Sequence, residues 1–195
     1  MRRLLPLLLL GLGAPAIAQQ QSESYKFLQA VKDAKGNDVV AILDKPGSTI
    51  INTREISTGE GALHIVAKRG DTMYLRYLLG KGADANLKDK DGVTPLLLAV
   101  RQGHAEMIPL LVAGRANPNL GDQSGATPLI LATQLRNIEM VRLLLAAKAN
   151  PDQTDRAAGL SARNYADTDP RNGAIAKLFA EVPKQAPRAV AGPKL

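Results

Sequence analysis

The side chains that could carry chemistry in this sequence are few. Cysteine is absent, which excludes disulfides and thiolate chemistry, and the only imidazoles are those of His64 and His104. Neither belongs to an H-E-x-x-H pattern, and the G-x-S-x-G and G-x-x-x-x-G-K-[ST] motifs are also absent. The acidic pair Asp89 and Asp91 alternates with lysines, which favours a solvated loop over a general acid–base pair. We therefore expect no catalytic residue, no cofactor and no bound metal.

The net charge of +7 first suggests a nucleic acid or an anionic membrane as partner. Residues 1–18 contribute +2 and residues 182–195 contribute +3, whereas the long segment between them has 20 Lys/Arg against 18 Asp/Glu. The four Tyr and two Phe of the chain are too few for a base-stacking surface. The excess charge therefore lies mostly at the two ends, and we expect no nucleic acid as partner.

Residues 1–18, MRRLLPLLLLGLGAPAIA, have the order of features found in an export signal. Two arginines precede an apolar stretch, and Ala16-Ile17-Ala18 places small residues where a signal peptidase reads them. The alternative is a membrane anchor, but Leu4–Ala18 would span only about 22 Å as a helix, less than a hydrocarbon core of roughly 30 Å. We expect cleavage after Ala18 and no stable membrane insertion afterwards. The short Leu-rich form is typical of bacteria, which places the mature protein in the periplasm or outside the cell.

A 33-residue repeat fills most of the remaining chain. GVTPLLLAVRQGH (92–104) recurs as GATPLILATQLRN (125–137), and EMIPLLVAGRANPN (106–119) recurs as EMVRLLLAAKANPD (139–152). A further copy begins with GEGALHIVAKRGD (59–71). In its period and in both motifs the sequence resembles the ankyrin repeat. The resemblance implies an all-α ankyrin-repeat solenoid of stacked helix-turn-helix units joined by hairpin loops.

The repeats divide the chain into a predicted leader (1–18), an ankyrin-repeat domain (19–181) and a basic Pro/Ala-rich tail (182–195), which we expect to be flexible. Within the domain we expect three clear repeats at about 53–86, 87–119 and 120–152. Degenerate caps at about 24–50 and 154–181 complete five helix pairs. The spacing i, i+3, i+4 predicts buried stripes on both helices of each repeat. These are Leu96, Ala99 and Val100 with Leu129, Ala132 and Thr133 on the first helices, and Ile108, Leu111 and Val112 with Val141, Leu144 and Leu145 on the second.

Two positions depart from the family pattern. The resemblance implies a Thr–His hydrogen bond in each repeat, but only His64 retains the histidine, so we expect this ladder to be broken. Gly82 stands where the second helix needs a left-handed residue, whereas Arg115 and Lys148 occupy the same position in the next repeats, at a cost of about 1 kcal/mol each. Two interpretations remain open: ordinary tolerance at a helix end, or a basic column that a partner uses.

The resemblance implies binding through the hairpin tips and the exposed side of the first helices, on the concave face. The tips are expected at 54–58, 87–93, 120–126 and 153–158. Residues there vary between repeats while the stripes do not, as a non-repetitive partner would require, although drift also produces variation. The candidate contact residues are Arg54, Glu55, Lys68, Arg69, Lys88, Asp89, Lys90, Asp91, Val93, Arg101, Gln102, Gln123, Ser124, Ala126, Gln134 and Leu135.

The sequence therefore predicts a non-enzymatic, monomeric scaffold that binds another protein in the bacterial periplasm or envelope. One version of this role is protective or inhibitory, with the array covering a site on an enzyme. The alternative is a secreted effector that binds host or competitor proteins, which requires a second export step.

Overall fold

The computed structural model describes residues 14–184, with side chains from residue 23 onward. Most of the predicted leader and residues 185–195 of the predicted tail lie outside this range. The described part forms ten α-helices in five antiparallel pairs, the predicted ankyrin-type solenoid. The pairs are α1 (Ala14–Lys32) and α2 (Gly36–Leu43), α3 (Ala62–Arg69) and α4 (Thr72–Gly80), α5 (Pro95–Gln102) and α6 (Met107–Ala113), α7 (Pro128–Gln134) and α8 (Ile138–Ala146), and α9 (Ala162–Thr168) and α10 (Gly173–Ala180). Two 3-10 turns cover Ile50–Asn52 and Pro170–Asn172.

The core is a continuous double row of helices. The first helices α1, α3, α5, α7 and α9 pack in succession, and α4, α6, α8 and α10 form the second row. The predicted stripes lie between these rows, and Leu96, Leu111 and Leu144 are fully buried. Val112 and Leu145 are only half-buried at the margin of the core. No helix pair covers its own apolar face, so stacking supplies the burial that stabilises each repeat.

Three of the first helices begin with a hydroxyl side chain as N-cap. Thr94 and Thr127 accept hydrogen bonds from the third residue of α5 and α7, and a proline occupies the first helical position of both. In the last pair Ser161 has the same capping role and accepts from Asn164 N–H at 3.2 Å. The degenerate final repeat therefore retains a capped first helix.

Asparagines of the preceding repeat form hydrogen bonds with the left-handed residues that follow the second helices. Arg115 and Lys148 both have φ of +66°. The Asn86 side-chain amide donates to the Arg115 carbonyl at 2.9 Å, and Asn119 donates to the Lys148 carbonyl at 3.3 Å. Gly82, with φ of +86°, is the equivalent residue one repeat earlier. These cross-repeat hydrogen bonds offset part of the conformational cost of the two non-glycine residues.

We expect Asn119→Ala to lower the free energy of unfolding by about 1–3 kcal/mol. The Asn119 carboxamide binds the Lys148 carbonyl and also accepts from Asn150 N–H at 2.7 Å, and each bond contributes about 1 kcal/mol. Urea denaturation measures the loss. Asn119→Asp retains the acceptor and loses the donor, so its stability should fall between those of the wild type and the alanine variant. An alanine variant as stable as the wild type would contradict this role.

Candidate functional site

The hairpin tips of the described chain are joined into one hydrogen-bonded ladder. Each tip is closed by the N–H of an acidic residue that donates to the carbonyl of the last tip residue. In the three later tips the residue after that acid donates its N–H to the preceding tip. The tips are 55–60, 89–93, 122–126 and 155–160, and the links between them are Lys90 N–H to Thr58 O at 3.0 Å, Gln123 N–H to Asp91 O at 3.0 Å, and Arg156 N–H to Ser124 O at 2.7 Å. The ladder makes the tips a rigid edge rather than four independent loops.

The acidic tip residues hold the tips in shape. Asp89 accepts from Asp91 N–H at 2.9 Å and from Val93 N–H at 2.8 Å. Asp122 accepts from the N–H groups of Ser124 and Ala126 in the same way. The sequence suggested Asp89 as a partner contact, but its carboxylate is engaged within its own tip. Asp89 is therefore a structural residue.

Several long side chains brace one tip against the next. Arg54 donates to the Lys88 carbonyl at 3.0 Å, and the Lys88 ammonium donates to the Gly121 carbonyl at 3.0 Å. Gln123 donates its side-chain amide to the Lys90 carbonyl at 2.6 Å. Arg54, Lys88 and Gln123 were candidate contact residues, and the structure gives their polar groups a bracing role.

The charged residues of the first helices are largely paired. Lys68 forms an ion pair with Glu60, and Arg101 lies 3.5 Å from Asp122. Arg69 donates to the Val31 carbonyl at 2.9 Å and pairs with Asp71. Glu55 pairs with Lys32 at 3.0 Å, and this hydrogen bond lowers the pKa of Glu55. Exposed pairs contribute little to stability, so a partner could displace them at small cost.

Exposed candidate residues occur in all three clear repeats, from Arg54 to Leu135. Val93 is buried, with 4% of its surface exposed, so its choice as a contact residue was wrong. Ala126 is half-buried, and the Ser124 hydroxyl donates to Asp122. We define the central patch by exposed residues of tip 89–93, of the end of α5, and of the end of α7 with the residue that follows it: Lys90, Asp91, Arg101, Gln102, Gln134 and Leu135. Leu135, 54% exposed, is the apolar member of this patch.

Sequence reasoning missed two exposed apolar residues at the N-terminal end of the array. Ile56 is 84% exposed and Tyr25 is 69% exposed. Ile56 follows the acid of the first tip, a position occupied by Lys90 and Gln123 in the next two tips. That exchange of a polar for an apolar residue was visible in the sequence once the tips were aligned by their acids.

The histidines serve the structure. His64 is fully buried; its Nδ1 accepts from Gly61 N–H at 3.2 Å, and its Nε2 lies 3.0 Å from the Val93 carbonyl. The predicted break of the Thr–His hydrogen-bond ladder therefore affects the later repeats, where Leu97 and Ile130 replace histidine. His64 still joins its own repeat to the next. The ring of His104 packs against Gly70 of the preceding repeat.

We expect stability to fall as the pH drops below about 6.5, the ordinary pKa of histidine. Burial lowers the pKa of His64, and the bonds at both ring nitrogens fit only the neutral form protonated at Nε2. The unfolded chain binds a proton that the folded chain does not, so acid favours unfolding by up to about 1.4 kcal/mol per pH unit. Urea midpoints from pH 7.5 to 5.5 measure this slope. His64→Leu, which retains His104, should flatten it, and an unchanged slope in that variant would contradict the assignment.

Among residues 23–184 no group of three or more His, Cys, Asp or Glu side chains could hold a metal ion. Within the described chain no helix has the length and apolar character needed to cross a membrane. The linked hairpin tips form a rigid, repetitive edge, and the exposed surface of the first helices beside it varies from repeat to repeat. Such an arrangement offers a large, fixed surface to a partner.

Comparison with known proteins agrees with this architecture. A family model described as ankyrin repeats (3 copies) matches residues 23–119 and, in an overlapping match, residues 63–155. The NF-kappa-B p110 subunit of Drosophila melanogaster is 38% identical over 55 residues, 28% of this chain. Protein phosphatase 1 regulatory subunit 12A of Mus musculus is 42% identical over 57 residues, 29% of the chain, and potassium channel AKT1 of Arabidopsis thaliana is 42% identical over 55 residues, 28% of the chain.

Each of these matches spans only 6% of the relative's own length, so the similarity concerns a short run of repeats. The family model covers a far larger share, because its two matches together extend over residues 23–155, more than half of the chain. The matched residues include helices α2 to α8 and the first three tips. The chain belongs to the ankyrin-repeat family.

Proposed function

We propose that this protein is a non-enzymatic scaffold of the bacterial periplasm or envelope that binds another protein through the central patch. Ankyrin repeats imply protein–protein interaction, and this is the general role of the family. The observation that carries the proposal is the contrast between a fixed core and ladder and a first-helix surface that differs from repeat to repeat. Arg101 and Gln102 at the end of α5 correspond to Gln134, the last residue of α7, and Leu135, which follows it.

The binding mechanism follows from rigidity. The tip ladder and the stacked first helices hold the central patch in one conformation, so little conformational entropy is lost when a partner binds. Leu135 offers apolar area, and Gln102 and Gln134 offer donors and acceptors that a protein surface can match. Lys90, Asp91 and Arg101 add charges of both signs, which suits a polar protein surface better than a phosphate backbone.

Control of a partner's activity is one form of this role. One relative is, by its name, a regulatory subunit of protein phosphatase 1. This name supports a role in which the array covers a site on an enzyme and so protects or inhibits it. The periplasmic setting rests on the leader-like residues 1–18, with two arginines, an apolar stretch and an A-x-A site.

Site-specific cross-linking in intact cells tests the proposal. A photo-reactive amino acid is placed at Gln102 in the central patch or, as a control, at Met73 on the second-helix row, which is 81% exposed. We expect a discrete protein adduct from position 102 and none from position 73. No adduct from position 102, or the same adduct from both positions, would overturn the proposal.

Fractionation of the same cells tests the location. We expect the adduct in osmotic-shock fluid, with a chain that begins at Gln19. An adduct found only in culture supernatant would favour a secreted effector instead. An uncleaved chain in the cytoplasm would refute export.

A further inference from the structure

The N-terminal end of the array holds an apolar groove of about 630 Å³ between α1 and the first tip. Tyr25 and Ile56 line it and are largely exposed, and Leu28, which is buried, lies at its floor. Gln29 and Lys32 continue the α1 wall one turn further along the helix. Exposed aromatic and branched aliphatic side chains around a groove are characteristic of sites that take an apolar side chain.

The tip ladder ends at this groove. In the three later tips the residue after the acid donates its N–H to the preceding tip, as Lys90 does to Thr58. Ile56 is the equivalent residue of the first tip, and its N–H has no hydrogen-bond partner within the described residues. A preceding tip would stand where α1 runs as one continuous helix. The groove therefore combines an apolar wall with the open end of a backbone ladder.

These features restrict what can bind there. A backbone N–H at the end of a ladder takes a carbonyl that is not already used, which an extended segment offers and the interior of an α-helix does not. The apolar wall takes a large aliphatic or aromatic side chain. Lys32 is paired with Glu55, so Arg54 supplies the net positive charge of the lining. An acidic neighbour of that side chain is therefore favoured over a basic one.

We propose that this groove binds an extended segment of a partner protein and thereby adds one rung to the tip ladder. A backbone carbonyl of the segment accepts from Ile56 N–H, and an aliphatic or aromatic side chain next to an acidic residue packs between Tyr25, Leu28 and Ile56. This inference rests on the proposed protein-binding function and assigns it a second contact region, at the N-terminal end of the array.

A random dodecapeptide library displayed on phage, selected against the immobilised full chain, provides the probe. We expect enrichment of peptides with an apolar residue beside an acidic one. A synthetic copy of the most enriched peptide should bind at least tenfold more weakly to Ile56→Lys, since this change removes an anchor side chain. The substitution installs the residue type that the second tip carries, so the fold should persist. Met73→Lys, which replaces an equally exposed apolar residue elsewhere, should bind as the wild type does.

Hydrogen exchange of the Ile56 amide reports on the added rung and should slow when the peptide binds. Equal affinity of the peptide for the wild type and Ile56→Lys, or unchanged exchange of that amide, would overturn the inference. A selection without enrichment would also overturn it. So would concentration-dependent dimerisation abolished by Ile56→Lys, because a second copy would then be the occupant. If the adduct from position 102 still forms in an Ile56→Lys chain, the central patch binds its partner independently of the groove. The proposed function and this inference can then fail separately.

Discussion

Arg163→Ala should lower the free energy of unfolding by about 3 kcal/mol, the largest loss we expect from any single charged residue. The Arg163 guanidinium is nearly buried and pairs with Asp152 at 2.7 and 3.3 Å. It also donates to the carbonyls of Phe179 and Val182 at the end of α10. One side chain therefore ties the segment before the last tip to both helices of the C-terminal cap. Loss of a buried charged partner typically costs several kcal/mol.

Arg171→Ala is the matched control. Arg171 also forms an ion pair, with Asp169, but its side chain is 70% exposed, and such pairs contribute less than about 1 kcal/mol. Thermal and urea denaturation of both variants measure the difference. Equal losses would show that Arg163 does not hold the cap.

Gly59→Ala should lower the free energy of unfolding by about 2–3 kcal/mol. Gly59 has φ of +77°, where a side chain costs about 1 kcal/mol. A Cβ atom there would also lie 2.8 Å from Lys90 N and 3.2 Å from the Asp89 carbonyl carbon. The second tip would have to move, which would disturb the hydrogen bond from Lys90 to Thr58 and add an overpacking cost.

Gly159→Ala separates the cost of the left-handed backbone conformation from the cost of the clash with the neighbouring tip. Gly159 has φ of +67° in the last tip, but in the described structure no heavy atom lies within 4 Å of the Cβ position. This variant should lose only about 1 kcal/mol, the cost of the backbone conformation alone. Urea denaturation compares the two. A Gly59 variant no less stable than the Gly159 variant would contradict a tightly packed ladder of tips.

The period of the sequence predicts the array, because each stripe has the spacing of one helix face and each Thr-Pro pair marks a helix start. Contacts between repeats were harder to predict. Arg163 of the degenerate last repeat stands at the position of Leu96, yet its guanidinium donates to the carbonyls of Phe179 and Val182 at and just beyond the end of α10. Alignment of the repeats identifies equivalent positions, but it does not show which backbone carbonyl a long side chain binds.

The candidate site was predicted in part. Gln102 and Leu135 were identified as surface residues of the first helices, and both are exposed. Lys88 and Asp89 looked equally available, but their polar groups bind backbone atoms of the tips. A charged residue at a turn can bind a partner or bind the backbone of its own array, and the sequence alone does not distinguish these two roles. Ile56 was overlooked because the first tip is one residue longer than the second, which shifts its alignment with Lys90.

Binding of the cross-linked partner by surface variants tests the central claim most directly. Gln102→Glu combined with Leu135→Glu alters the central patch, and Met73→Glu combined with Ala113→Glu adds the same charge to exposed positions of the second-helix row. Isothermal titration of the purified partner should show at least a tenfold loss of affinity for the first double variant and none for the second. Equal affinities of both double variants and the wild type would contradict binding through the first-helix face.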